Sequence, residues 1–290
     1  MSAAAAALVV AAAVAHASWN YFAKRAGASG LLFVWLYTVW SMVLFAPAAA
    51  WWLASNGLPS GLVEWGFILG SMLIHTAYFG LLQRGYAAGD LSVVYPIARG
   101  VGPVLAIAGA VALLGERPSV RALVGGGLVC IGVVGLGFLG RTRPRYGGSQ
   151  PHSGLVYAVL TGVMIASYTI WDAHAVGGLG IAPLTFAWLS MVGRFAVLSP
   201  FAWRRRAELR PLWDRQRSAV VAVGTLAPTA YLLVLVAFTL APVSYVAPAR
   251  ELSIVLGTAL GAKLLGEAHG AARVAAAATV LAGVALLATG

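Results

Sequence analysis

The chain reads as an all-α integral membrane protein: ten transmembrane helices forming two inverted five-helix repeats. Three observations predict this. Of 290 residues, 61% are hydrophobic and 9% charged, with a mean hydropathy of +0.88; a water-soluble domain has about 25% charged residues. The apolar residues come in blocks of about 20, the length that crosses a bilayer as a helix. Finally, Ala98–Glu116 (ARGVGPVLAIAGAVALLGE) returns 151 positions later as Ala249–Glu267 (ARELSIVLGTALGAKLLGE), with nine of nineteen positions identical. Each copy sets an arginine in an apolar run and closes on Gly-Glu, which points to a membrane protein of two related halves.

The first span, 3–23, is alanine-rich. Its alanine-rich part, Met1–Ala17, ends in Ala15-His16-Ala17, a sequence like a signal-peptidase site, but no Lys or Arg precedes it as a signal peptide requires. Gly, Pro and charge clusters then bound spans at 31–53, 63–84, 91–114 and 119–139, completing a first repeat over 1–140. A basic loop, 141–153, leads to the second repeat, 154–290, with spans at 154–175, 183–203, 218–239, 243–265 and 271–288. That loop and Arg204–Arg217 are the longest connections, so no soluble domain is expected. Further matches keep register: Thr76-Ala77-Tyr78 with Thr229-Ala230-Tyr231, Trp19-Asn20 with Trp171-Asp172, and Trp35 with Trp188. Five spans is an odd number, so the second half enters the membrane upside down, the plan of secondary transporters that bind near the midplane.

The net charge of +11 is not a nucleic-acid footprint, because the basic residues sit in short connections between apolar blocks. Lys24, Arg25, Arg84, Arg141, Arg143, Arg145, Arg204, Arg205, Arg206, Arg210, Arg215, Arg217 and Arg273 fall on one side, thirteen against Arg117 and Arg121 on the other. The positive-inside rule then places both termini outside the cytoplasm, in a bacterial inner membrane. Cys130 is the single cysteine and reads as a packing residue. The five histidines lack metal-ligand spacing and no phosphate-binding glycine loop occurs, so no metal, cofactor or ATP is expected.

The paired Leu-Leu-Gly-Glu endings, the five-plus-five duplication and the Trp in the first helix of each half resemble the EamA-domain family of the drug/metabolite transporter superfamily. His16-Ala17-Ser18-Trp19-Asn20, Tyr95-Pro96-Ile97-Ala98-Arg99-Gly100 and Ala247-Pro248-Ala249-Arg250-Glu251 look like one branch of it. The family's proline thirteen residues before the closing Glu is present as Pro103, but Ile254 takes its place in the second half. The resemblance also implies cytoplasmic termini, against the charge count.

Polar groups within the spans are the functional candidates. Arg99 and Arg250 lie about eight and seven residues into spans 4 and 9, roughly 10–12 Å deep at 1.5 Å per residue, descending from opposite faces. They either grip a carboxylate or phosphate, or tie helices together through backbone carbonyls or Glu251. Pro96 and Pro248 precede them and are expected to kink both helices. Mid-span Tyr78 and Tyr231 need hydrogen-bond partners, and Trp19, Asn20 and Trp171 complete the expected substrate contacts. His75, one turn before Tyr78, is a candidate proton carrier, as are Asp172 and Glu251. Asp172 could instead pair with Arg194 or His174. Lys263 reads as a snorkelling anchor, and Glu116 and Glu267 as turn residues.

The expected function is secondary active transport of a small organic metabolite, anionic or zwitterionic and amino-acid-like, by alternating access. The partners are that substrate, a proton and the lipid bilayer; monomer and homodimer both remain open. The alternatives are a flippase for a lipid-linked sugar or phospholipid, and a membrane-embedded lipid-modifying enzyme using His75 or His16. The enzyme requires two titratable groups within about 3 Å of each other.

Overall fold

The computed structural model describes residues 1–25, 30–88, 91–139, 151–265 and 271–290, and these contain helices but no strand. The first half holds α1 (Ala3–Arg25), α2 (Leu31–Asn56), α3 (Leu62–Ala88), α4 (Leu91–Leu114) and α5 (Val120–Leu139). The second holds α6 (Pro151–Ala173), α7 (Pro183–Arg204), α8 (Arg206–Leu240), α9 (Val243–Ala249), α10 (Leu252–Leu265) and α11 (Ala271–Thr289). A wide π turn, His174–Gly178, prolongs α6. Nine of the described helices are long and apolar enough to cross a membrane. Most of the linker 141–153, together with Glu267, lies outside the described residues, as does the side chain of Lys263.

Two segments depart from the expected spans. The ninth, expected as one helix over 243–265, is two: the seven-residue α9 and α10, separated by Arg250-Glu251. Pro248 contributes no N–H to the ladder. The bonds then tighten from i−4 to i−3: Glu251 N–H to the Pro248 carbonyl at 3.0 Å, Ser253 to Arg250 at 3.1 Å and Ile254 to Glu251 at 2.9 Å. Pro96, by contrast, lies within an unbroken α4.

The second departure is the expected connection 204–217, most of which is helical. It forms the start of α8, parted from the rest by non-helical torsions at Gln216 (φ −125°, ψ 15°). Leu209, Leu212 and Trp213 recur at helical spacing, and the last two pack against the cluster of Phe33, Val220 and Val223. Eleven residues of this kind escape a search for 20-residue apolar blocks.

The packing repeats when the halves are exchanged. α1 packs on α8 and α10 as α6 packs on α3 and α4; α2 meets α8 as α7 meets α3; α2 with α7 and α5 with α11 pair across the exchange. α5 and α11 meet at glycines: a Cβ on Gly283 would lie 2.6 Å from the Gly125 carbonyl oxygen.

The end of the bundle that carries the chain termini is solidly packed. Ala175, Phe186, Leu235 and Val246 are fully buried there. The Glu116 carboxylate accepts the backbone N–H groups of Val243 at 2.6 Å and Ser244 at 2.9 Å, capping the start of α9 from the other half. The Tyr245 hydroxyl accepts the Ser119 N–H at 3.3 Å and donates to the Gly290 carbonyl at 3.4 Å. Glu116 therefore does more than turn the chain: it holds the two halves together.

Candidate functional site

The opposite, arginine-rich end is hollow. A cavity of about 360 Å³ runs from Ala23, Gly30 and Leu82 near that face inward to Ala12, Val234 and Arg250. This is the volume range of small-metabolite sites. Of the sequence candidates, Trp19, Asn20, His75, Tyr78, Arg99, Tyr231 and Arg250 all line it, with His16. Trp171, Asp172 and Glu251 do not. Trp171 faces α3, its indole stacked on Phe67 at 4.3 Å and donating to the Phe67 carbonyl at 2.8 Å, over the bare backbone of Gly70.

The two related arginines occupy unlike settings. Arg99 is 6% exposed, and its Nη2 lies 2.8 Å from Glu251 Oε2 and 3.5 Å from Ser253 Oγ. Arg250 has only neutral partners among the described residues: Nη1 donates to Thr169 Oγ1 at 3.5 Å and Nη2 to the Tyr168 hydroxyl at 3.4 Å. Its guanidinium stands 6.0 Å from the centre of the Tyr168 ring. The sequence places a carboxylate directly after Arg250, but the tightened turn at the break delivers Glu251 to Arg99 of the other half. A buried, charge-paired arginine sits beside one whose bonds are long and uncharged.

Arg194 also lines the cavity. It is half-buried, lies over the Phe79 ring at 5.7 Å and has no carboxylate within ion-pair distance among the described residues. The pairing of Asp172 with Arg194 or His174 is not what forms. Asp172, 1% exposed, accepts from His75 Nε2 at 3.0 Å and from the Tyr231 hydroxyl at 2.8 Å, both through Oδ2. Its Oδ1 is buried with no hydrogen-bond partner among the described residues. The turn spacing of Tyr168, Trp171 and Asp172 turns all three toward α3, where His75 lies one turn before Tyr78.

Tyr168 joins these groups. His75 stacks on its ring at 4.2 Å, and its hydroxyl receives Arg250. A continuous path of contacts thus runs from buried Asp172 through His75 and Tyr168 to Arg250 at the cavity wall. Tyr168, Ser253, Tyr37 and Phe79 were not among the sequence candidates. Ser253 follows Arg250 by three residues, a spacing that places both on one side of a helix and so marks it in the sequence.

Chemically, the cavity wall offers two guanidinium groups with no ion-paired carboxylate among the described residues, several aromatic rings, and the His75 imidazole backed by the Asp172 carboxylate. At 3.0 Å, that pair has the separation an acid–base couple needs. Among the described residues, no group of three potential metal ligands comes together.

The EamA-like transporter family model matches residues 3–138 and again 152–289. Among solved structures, 29 chains match. One, titled only as the crystal structure of a protein, aligns with a TM-score of 0.77 over 99% of this chain and 96% of its own at 18% identity, a likeness of fold. Nothing among the curated proteins matches.

Proposed function

The chain belongs to the EamA-like transporter family of the drug/metabolite transporter superfamily, and on that premise we propose that it is a secondary active transporter of a small anionic or zwitterionic metabolite, amino-acid-like in its carboxylate. It is a multi-pass membrane protein. In our reading α9 and α10 cross together as the ninth of ten spans, the halves are inverted repeats, and the membrane is a bacterial inner membrane with both termini outside. The exchange symmetry of the packing supports the repeat, and the charge bias supports the orientation.

One observation carries the substrate class: Arg250 reaches the cavity wall with no carboxylate in ion-pair contact among the described residues, while its relative Arg99 is already paired with Glu251. A guanidinium kept at membrane depth costs at least about 2.5 kcal/mol, and an arriving carboxylate would supply its missing partner. Arg194 offers a second contact, and Trp19, Tyr78 and Tyr231 suit an apolar portion. Asp172 and His75 are the proton site. The hollow arginine-rich end and packed termini end correspond to an inward-open state of an alternating-access cycle. Proteoliposome uptake of a panel of labelled amino acids and small carboxylates tests this, comparing the natural chain with Arg250→Ala. Equal uptake by both would remove Arg250 from the substrate site.

A second reading, an embedded enzyme working on lipid head groups, is favoured by the 3.0 Å His75–Asp172 separation. It requires head-group turnover by the purified protein in lipid vesicles, lost on His75→Phe.

A further inference from the structure

The segment at the start of α8 stands outside the cavity and has a separate chemistry. Arg204, Arg205, Arg206, Arg210, Arg215 and Arg217 cluster there against only Glu208 and Asp214. Glu208 is occupied, gripped by Arg205 through two bonds of 2.6 and 2.7 Å. Arg204, Arg210 and Arg217 are exposed and have no ion pair among the described residues, and Arg206 lies over the exposed Trp203 ring at 5.3 Å. A tryptophan and an arginine stacked at a helix end mark the level of the lipid head groups.

The segment is also bent back onto the bundle. Trp213 lies 6.5 Å from Trp40, nine residues inside α2, and Leu212 and Trp213 join the Phe33 cluster. Had α8 run straight through Gln216, the start of the segment at Arg206 would stand about 15 Å beyond it, at 1.5 Å per residue. The bend at Gln216 lets the apolar stripe face the protein and leaves the arginines outward. Between the segment and Leu32 lies a groove of about 280 Å³, floored by Leu32, Ala207, Pro211 and Leu212, with Arg215 and the Arg205-paired Glu208 at its edge. Leu32 adjoins Phe33, a residue of the cavity wall, so groove and cavity share α2.

We propose that this segment is an anionic-phospholipid site: the arginines hold a phosphate head group at the mouth of the cavity while the groove takes the start of an acyl chain. An apolar groove on a segment where six arginines outnumber Glu208 and Asp214 suits a lipid and not a free anion, and each arginine near a charged membrane surface contributes about a fivefold factor in binding. The site is independent of the substrate.

The test uses the full-length protein purified from mixed phosphatidylcholine–phosphatidylglycerol nanodiscs, with bound lipid counted by native mass spectrometry. The natural chain is expected to keep phosphatidylglycerol through delipidation. The variant R206Q/R210Q/R215Q should bind it about a hundredfold more weakly, the product of three such factors. R210Q alone, altering an exposed side chain, should lose about fivefold without disturbing the packing. R117Q/R121Q, at the opposite face, should match the natural chain. Retention of phosphatidylglycerol by the triple variant at the natural level would overturn the proposal and leave the arginines as orientation signals only. Equal loss in R117Q/R121Q would overturn it too, by showing bulk charge and not a site.

Discussion

Arg99 and Arg250 show how one residue type in two related places is put to different use. Removing one member of a buried ion pair strands the other charge, at a cost of about 3–5 kcal/mol. Arg99→Ala should therefore lower the thermal unfolding midpoint in detergent, because Glu251 at 1% exposure has no water to turn to. Replacing both partners, Arg99→Met with Glu251→Leu, should recover most of that loss, since an apolar pair leaves nothing stranded. Arg250→Ala leaves no buried charge behind, so its unfolding midpoint should stay close to the natural one while uptake falls. If the two alanine variants unfold alike, the division of roles is wrong. Asp172 calls for a different measurement. Asp172→Asn keeps an acceptor for Tyr231 and removes the ionisable proton. Uptake driven by a pH gradient should drop toward the level without a gradient, while substrate counterflow, which moves no net proton, continues. Full gradient-driven uptake by the variant would take Asp172 out of the coupling path.

Among the elements, the glycines of α5 divide sharply by what lies opposite. A Cβ at Gly125 would meet the Gly283 carbonyl at 2.8 Å, whereas one at Gly127 finds nothing within 4 Å. Gly283→Ala should force α5 and α11 apart, costing about 1–3 kcal/mol. Gly127→Ala should be neutral or stabilising by up to about 1 kcal/mol, through the better helix propensity of alanine. Thermal melts of the two variants side by side would decide, and similar midpoints would mean that α5 and α11 do not meet at these glycines. Such positions mark the limit of what the sequence disclosed. Long apolar blocks announced most helices, because crossing a bilayer demands a length and a composition that both leave a written trace. The break after Pro248 was harder to read, since a proline within a span bends one helix and leaves another, α4, unbroken. The bent start of α8 was missed because its apolar stripe is only three residues. Arg99, Arg250 and His75 stood out as polar groups in apolar runs, but their partners did not. Glu251 adjoins Arg250 in sequence and reaches Arg99 instead, and Asp172 meets His75 across 97 positions, pairings that only the packing of α3 on α6 and α4 near α9 creates.

For the whole molecule, the uneven distribution of packing makes the access state testable. The arginine-rich end contains the mouth of the cavity at Ala23 and Leu82, while the termini end buries Val243 beneath the Glu116 cap. The chain suits cysteine labelling, because its one native thiol, Cys130, is buried within α5 and should give little background. In inverted membrane vesicles, whose outer surface is the cytoplasmic one, a charged membrane-impermeant maleimide should label Ala23→Cys and leave Val243→Cys untouched. Intact spheroplasts should show neither labelled while the inward-open state prevails. Weakening the cap should shift this balance: Glu116→Gln removes the charge that binds the first N–H groups of α9, and charge at a helix start contributes about 0.3–1 kcal/mol. Given the fivefold change in population that about 1 kcal/mol produces, Val243→Cys should then become measurably reactive from the spheroplast side. Labelling of Ala23→Cys in untreated spheroplasts would reverse the orientation drawn from the arginine bias. Labelling of Val243→Cys in the otherwise natural protein, with Ala23→Cys protected, would mean that the molecule rests open at its other end.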